Sequence, residues 1–187
     1  MATRAPLSLK ARAIGLLAQR EHSRSELRRK LLRIEQQQAR RRLDAAQAAS
    51  ADETAADGEN TSSAREGEYE AGDGAAPQPA EAIDALLDAL AADGYLDETR
   101  FVESRLHLRA GRFGAQRIQQ ELAQHGLKLD AEQQADLRAT ELERAREVWL
   151  KRFGAEPPRE AAEQARQTRF LLARGFAPEV VRRLLRA

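Results

Sequence analysis

Apolar positions recur at helical spacing along most of the chain, and no stretch alternates as a half-buried strand does. Leu27, Leu31 and Ile34 form one such stripe, and Ser23 and Glu26 precede it with the spacing of a capping box. The other predicted helices cover about 9–20, 81–93, 97–110, 115–125, a stretch from 130, 139–153, a stretch from Pro157-Pro158 to Arg174, and a last one around Pro178. Ser8, Asp97 and Asp130 are the predicted N-caps of three of these helices. The sequence therefore predicts an all-α protein.

Internal similarity indicates that these helices repeat as larger units. The segments Leu90–Tyr95, Leu122–Leu127 and Leu171–Phe176 each carry a Leu, three further residues, a Gly and an apolar residue. Residues 23–31 also align with 114–122, and 112–114 align with 152–154. Because modules this short share their cores with their neighbours, we expect three tandem three-helix repeats that form an elongated, curved molecule.

An acidic stretch interrupts the first repeat. Residues 44–80 consist mainly of Ala, Gly, Ser, Asp and Glu, a composition typical of disorder. The predicted organisation is 1–36 for the first two helices of the first repeat, 37–79 for a disordered acidic insertion, 80–96 for its third helix, 97–138 for the second repeat and 139–187 for the third. The insertion has three interpretations: a linker, an electrostatic shield over the basic N-terminal region, or a separate interaction tail.

Charge is strongly segregated although the net charge is only +1. Residues 1–43 hold twelve Lys and Arg against three Asp and Glu, whereas residues 44–81 hold one Arg against ten acids. Basic residues on one helix face can contact phosphates or an acidic protein groove. The candidate binding residues are Arg24, Arg28, Arg29, Lys30 and Arg33 on the second helix, and Arg109, Arg112 and Arg117 near the turn between the fourth and fifth. The alternative for both groups is an ordinary solvated face.

Enzymatic and cofactor signatures are missing from the sequence. There is no Cys, the three His lack metal-ligand spacing, and neither a nucleotide-binding P-loop nor a G-x-S-x-G motif occurs. We therefore expect no enzyme, no cofactor and no metal site. His22 precedes a helix cap, and the recurring aromatic residues are interpreted as core between helices rather than as base-stacking platforms. No signal peptide or membrane span is evident, and a cytoplasmic location is expected.

Four segments carry a family resemblance. REHSRSELRRKL (20–31), GYLDETRF (94–101), GAQRIQQELAQHG (114–126) and RFLLARGFAPEVV (169–181) resemble the RecX family of bacterial regulatory proteins. The resemblance covers about 8–36 and 80–187. Glu98 and Val102 depart from the residues more common in the family, and the acidic insertion is a larger departure.

The RecX resemblance implies tandem three-helix repeats and a partner, the RecA recombinase assembled on single-stranded DNA. It also implies inhibition of strand exchange, ATP hydrolysis and coprotease activity by occupation of the filament groove, and so a role in DNA repair and the SOS response. A monomer is expected, with a weak direct DNA contact as a further expectation. Two alternatives remain. Residues 9–31 could form a helix-turn-helix that reads duplex sequence, or the chain could be a helical-repeat adaptor without nucleic-acid contact.

Overall fold

A computed structural model describes residues 7–56, 78–154, 158 and 160–186, with the backbone alone over 49–56. Within these ranges the chain forms nine α-helices and no strand. They are α1 (Leu9–Leu17), α2 (Arg24–Ala56), α3 (Pro79–Ala92), α4 (Glu98–Ala110), α5 (Ala115–Ala123), α6 (Ala131–Ala139), α7 (Glu141–Phe153), α8 (Ala161–Ala173) and α9 (Pro178–Arg186). The predicted all-α class is confirmed.

The helices group by threes around three separate hydrophobic cores. Module 1 comprises α1–α3, module 2 comprises α4–α6, and module 3 comprises α7–α9. The cores are built on Leu27, Leu31, Ile83, Leu87 and Leu90 in module 1, on Phe101, Ile118 and Leu122 in module 2, and on Ala145, Leu171 and Phe176 in module 3. The repeats are therefore tandem modules, as the internal similarity predicts, and the leucines and isoleucine that align between modules are buried in each.

The predicted caps hold at several helix ends. Ser8, Asp97 and Asp130 each accept a backbone N–H from the first turn of α1, α4 and α6. Gly94 follows the end of α3 with a φ of 74°, and Gly126 follows the end of α5 with a φ of 78°. Glycine adopts this left-handed conformation without strain. These stops separate the modules and their helices at the positions that the repeat pattern indicates.

Two helix starts differ in detail from the prediction. Ser23 Oγ accepts the Glu26 N–H at 3.2 Å, as in a capping box. The Glu26 carboxylate, however, binds the Arg20 guanidinium. The Arg20 guanidinium thus competes with the helix start for the Glu26 carboxylate, and for this reason the second half of the capping box does not form. The helix predicted to open at Pro157-Pro158 begins only at Ala161, after Glu160 with an extended ψ of 145°.

The second helix is longer than the sequence pattern predicts. The predicted bound of the first two helices lies near residue 36, and α2 itself continues to Ala56. Residues 39–48 are exposed, so no core supports this extension. Its Ala, Gln and Arg residues are good helix formers, and a helix already nucleated by its packed N-terminal half adds each residue without a new nucleation cost. The acidic residues 57–77 lie outside the described residues.

Candidate partner-binding surface

Two of the predicted binding arginines hold module 1 together. Arg24 forms an ion pair of 2.7 Å with Asp88, and Arg28 binds both carboxylate oxygens of Asp84 at 2.6 and 2.8 Å. The two aspartates lie one turn apart on α3, so the two pairs join α2 to α3 side by side. The hydrogen bond from Arg28 lowers the pKa of the Asp84 carboxyl. Arg24 and Arg28 thus have a structural role that their sequence pattern did not reveal.

The other predicted cations of α2 differ in their surroundings. Lys30 Nζ lies 2.8 Å from His22 Nε2 and 3.7 Å from a Glu26 oxygen, so it belongs to a local cluster. Arg29 donates to the Ser25 carbonyl at 3.3 Å and is exposed. Arg33 is also exposed, and neither arginine forms an ion pair with any residue that the structure describes. Of the predicted α2 cations, Arg29 and Arg33 are therefore the two open to a partner.

The start of α2 also forms the first module interface, which joins modules 1 and 2. Ser23 Oγ lies 2.8 Å from His125 Nδ1, and Ser25 Oγ donates to the His125 carbonyl at 3.1 Å. An ion pair of 3.1 Å between Arg100 and Glu21 crosses the same boundary. His125 also packs edge-on against the buried Phe101 ring. Glu21, Ser23 and Ser25 of the segment 20–31 thus form an inter-module contact.

His22 is the most buried titratable side chain at this interface. Its side chain is 1% exposed, and its Nδ1 lies 2.9 Å from the Arg20 carbonyl. Because a carbonyl only accepts, Nδ1 carries the proton, and Nε2 accepts from Lys30. Burial lowers the pKa of His22. The neutral imidazole therefore serves as a hydrogen-bonded core group that supports the α2 start.

The second module interface joins modules 2 and 3 through backbone atoms. Gly114 N–H donates to the Arg174 carbonyl at 3.0 Å, and Gln116 N–H donates to the Gly175 carbonyl at 3.2 Å. The buried Glu141 carboxylate accepts from Ala115 N–H at 3.0 Å. These three N–H groups lie at the first turn of α5, where no preceding helical carbonyl can bind them. Module 3 therefore caps a helix of module 2.

The two interfaces use equivalent positions of the repeat. Ser23 aligns with Gly114, Ser25 with Gln116, and His125 with Arg174. In both, the start of a module's middle helix contacts the end of the next module's middle helix. A Cβ on Gly114 would lie 2.1 Å from the Gly175 oxygen, so only glycine permits the direct backbone contact. At the first interface a serine side chain makes the equivalent hydrogen bond instead.

Three further predicted cations do come together around one aromatic ring. The guanidinium carbons of Arg109, Arg112 and Arg117 lie 5.6, 6.0 and 5.9 Å from the centroid of the Phe113 ring, within cation–π range. Arg109 is also paired with Glu121 at 3.0 Å. Arg112 and Arg117 are exposed and form no ion pair within the described ranges. These two remain available for an anionic partner.

Sequence reasoning missed the two charged residues that tie module 3 to module 2. Glu141 is 3% exposed and accepts from Ala115 N–H and, at 3.3 Å, from Ala177 N–H. Arg144 donates to the carbonyls of Ala110 at 2.9 Å and Phe113 at 2.8 Å. Burial lowers the pKa of Arg144. Both residues lie in an ordinary-looking charged helix, and only the fold shows which of its charges are buried.

The interpretation of the aromatic residues as core is confirmed for most of them. Phe101 and Phe176 are fully buried and Trp149 nearly so, while Phe113, Phe153 and Phe170 are half-buried at module surfaces. Tyr95 is the exception, with half of its side chain exposed. The interpretation of Tyr95 as a core residue is therefore wrong. The chain turns at Gly94, and after this turn Leu96 rather than Tyr95 enters the core.

Within the described ranges, no group of His, Asp and Glu side chains is arranged to hold a metal ion. Nor is any described helix long and apolar enough to cross a membrane.

The exposed cations described above, which lack acidic partners among the described residues, have the charge needed to bind an anionic surface.

Comparison with known proteins decides the family. A family model described as RecX, third three-helix domain, matches residues 139–185, which contain α7, α8 and all of α9 except its last residue. A Regulatory protein RecX of Leptothrix cholodnii is 45% identical over 100% of this chain and 93% of its own length. The chain belongs to the RecX family. A Regulatory protein RecX of Ralstonia nicotianae is 42% identical over 97% of this chain and 89% of its own length, and one of Herminiimonas arsenicoxydans is 37% identical over 97% and 93%.

RecX membership agrees with the sequence resemblance and extends it. The match with the Leptothrix protein runs over the whole chain, so the acidic stretch lies within the range matched to a RecX relative. The resemblance carried by the four segments covers only about 8–36 and 80–187, on either side of the acidic stretch. The third three-helix unit of the family coincides with module 3.

Proposed function

We propose that this RecX-family chain is a non-enzymatic regulator that binds the RecA filament on single-stranded DNA. It inhibits strand exchange, ATP hydrolysis and coprotease activity, and acts as a monomer in the cytoplasm in DNA repair and the SOS response. The main support is the RecX match over the full chain, because those relatives are named regulatory proteins. The RecA partner and the inhibition come from the family resemblance.

The two module interfaces give this proposal a physical basis. They hold three similar modules in series, so that surface residues of successive modules keep fixed relative positions. A filament presents successive identical protomers, and a row of repeated modules can contact more than one of them. Several weak contacts made by one rigid ligand add up with little further loss of conformational freedom.

Exposed, unpaired cations are the proposed contact residues. They are Arg29 and Arg33 on module 1 and Arg112 and Arg117 at the end of module 2. Arg24, Arg28 and Arg109 contribute less, because acidic side chains of the same chain already occupy their guanidinium groups. An acidic filament groove would replace water around the free cations and bind them in a salt-dependent way.

A co-sedimentation experiment tests the proposal. Wild-type protein should pellet with RecA filaments, and Arg29→Gln/Arg33→Gln should bind more weakly by about 0.5–2 kcal/mol in total, the range for two exposed ion pairs. Arg166→Gln/Arg182→Gln is the matched control, since both arginines are exposed and each forms an ion pair only within its own helix among the described residues. Absence of wild-type protein from the filament pellet contradicts the proposal.

The helix-turn-helix alternative gains little from the contacts of α2. Arg24 and Arg28, which would have to enter a major groove, are bound by Asp88 and Asp84. A preference for one duplex sequence over another in the same experiment would favour that alternative. Failure to bind filaments, single strands and duplexes would favour the adaptor.

A further inference from the structure

Among the residues that the structure describes, four cationic side chains and no acidic one line a cleft beside the second module interface. It has a volume of roughly 270 Å³. Its lining residues are Gly111, Arg112, Val148, Lys151, Arg152, Phe170 and Arg174. Of the eight binding residues predicted from sequence, only Arg112 belongs to it. The cleft combines the end of module 2 with two helices of module 3.

The four cleft cations have no acidic partner among the described residues. Arg112, Lys151, Arg152 and Arg174 form no ion pair there, whereas Arg105 and Arg109 nearby share Glu121. Like charges around one cleft repel, and an anion between them would turn this repulsion into attraction.

Aromatic rings support three of the four charges. The guanidinium carbon of Arg174 lies 3.9 Å from the Phe170 centroid, that of Arg152 lies 5.8 Å from Phe153, and that of Arg112 lies 6.0 Å from Phe113. A guanidinium held over a ring keeps its N–H edge free to bind oxygen atoms. Phe153 and Phe170 also pack edge to face at 5.0 Å. The cation positions are therefore restrained before any ligand binds.

The second module interface fixes the two sides of the cleft relative to each other. The Arg174 carbonyl accepts from Gly114 N–H at 3.0 Å. On the opposite side, Arg144 donates to the Phe113 carbonyl at 2.8 Å, next to Arg112. The backbone of both Arg112 and Arg174 is thus anchored within two residues of the charged side chain. Such preorganisation reduces the entropic cost of binding.

We infer that this cleft binds single-stranded DNA, with phosphate oxygens on the Arg and Lys side chains and a base against the part of the Phe170 ring that Arg174 leaves open to the cleft. Phosphates suit the planar N–H edge of arginine, and basic grooves with aromatic rings are typical of single-strand binding. The cleft volume lies just below the usual range of about 300–1,000 Å³ for ligand sites, which suits a nucleotide-sized segment of a strand. An acidic polypeptide would use the charges but not the ring. This inference goes beyond the proposed function, which requires contact with RecA alone.

Fluorescence anisotropy of a labelled oligothymidine with the free, full-length protein tests the inference without RecA. The test variant is Arg112→Gln/Lys151→Gln/Arg152→Gln, which leaves the packed Arg174 in place. The control is Arg138→Gln/Arg146→Gln/Arg182→Gln, which removes the same charge from exposed positions outside the cleft. Far-UV circular dichroism melting should be unchanged in both, because all six side chains are exposed.

The cleft variant should bind the oligonucleotide at least about tenfold more weakly, the control less than about threefold. Its slope of log Kd against log salt should fall by roughly 2, since each phosphate contact on a single strand contributes about 0.7. Equal losses in both variants would overturn the inference. It would also be overturned if the wild type does not bind the oligonucleotide and the cleft variant loses RecA binding. That result is expected if the cleft binds an acidic protein segment instead. Inhibition of RecA ATPase by wild type remains a separate readout of the proposed function.

Discussion

Replacing Gly114 with alanine should disrupt the second module interface. A Cβ at this position would lie 2.1 Å from the Gly175 carbonyl oxygen, whereas ordinary contact begins at 3.4 Å. The neighbouring atom is backbone, so it cannot rotate away as a side chain would. The end of α8 must therefore move back by more than an ångström. This movement breaks the hydrogen bonds from Gly114 N–H to Arg174 and from Gln116 N–H to Gly175.

The expected cost follows from these contacts. Overpacking costs about 1–3 kcal/mol, and each lost hydrogen bond adds about 0.5–1.5 kcal/mol. Loss of glycine's freedom in the unfolded chain offsets about 0.4–1 kcal/mol. We therefore expect Gly114→Ala to lower the free energy of unfolding by about 2–5 kcal/mol. For a chain of this length each kcal/mol lowers Tm by about 2–4 °C.

Amide hydrogen exchange gives the direct local measurement. The amides of Gly114, Ala115 and Gln116 bind acceptors in module 3, so their protection reports the closed interface. All three should exchange faster in Gly114→Ala. Gly111→Ala is the matched control, because nothing lies within 4 Å of its Cβ position and its φ of −71° suits alanine. Equal Tm and equal exchange in the two variants would refute the packing argument.

Three further predictions concern individual side chains. Glu141→Ala should cost about 2–4 kcal/mol, because one buried and one partly buried N–H group lose their acceptor, and Glu141→Gln should cost less; urea denaturation checks both. Asp84→Asn should lower Tm at neutral pH, and the difference from wild type should vanish on acidification. A carboxyl whose pKa is lowered in the folded state contributes stability above a pH of about 3.9, and this stability is lost as the pH falls through the folded pKa. Tm should also fall as pH drops from about 6.5 through the lowered folded pKa of His22, because the neutral form is the stable one there; a His22→Gln variant that keeps the full decline would contradict this.

The fold follows from sequence because helix periodicity, caps and repeated glycines act locally. Ser8, Asp97 and Asp130 cap their helices as predicted, since the interaction spans only two or three residues. The end of α2 was missed because no cap or proline stops it and helix formers continue past the last packed turn.

The binding surface was less predictable because it depends on pairing between distant residues. Arg28 and Arg33 look alike in sequence, yet one meets Asp84 across 56 positions and the other remains exposed. The burial of Glu141 and the gathering of Lys151 near Arg112 likewise arise from module packing. The alignment of 112–114 with 152–154 was the one signal in the sequence that relates the two cleft sides.

The most direct test of RecX-type regulation is the rate of ATP hydrolysis by RecA on single-stranded DNA with increasing amounts of this protein. Wild type should inhibit in a saturable way, Arg166→Gln/Arg182→Gln should inhibit equally, and Arg29→Gln/Arg33→Gln should require a higher concentration. An unchanged ATPase rate at concentrations that saturate the filament would contradict the account.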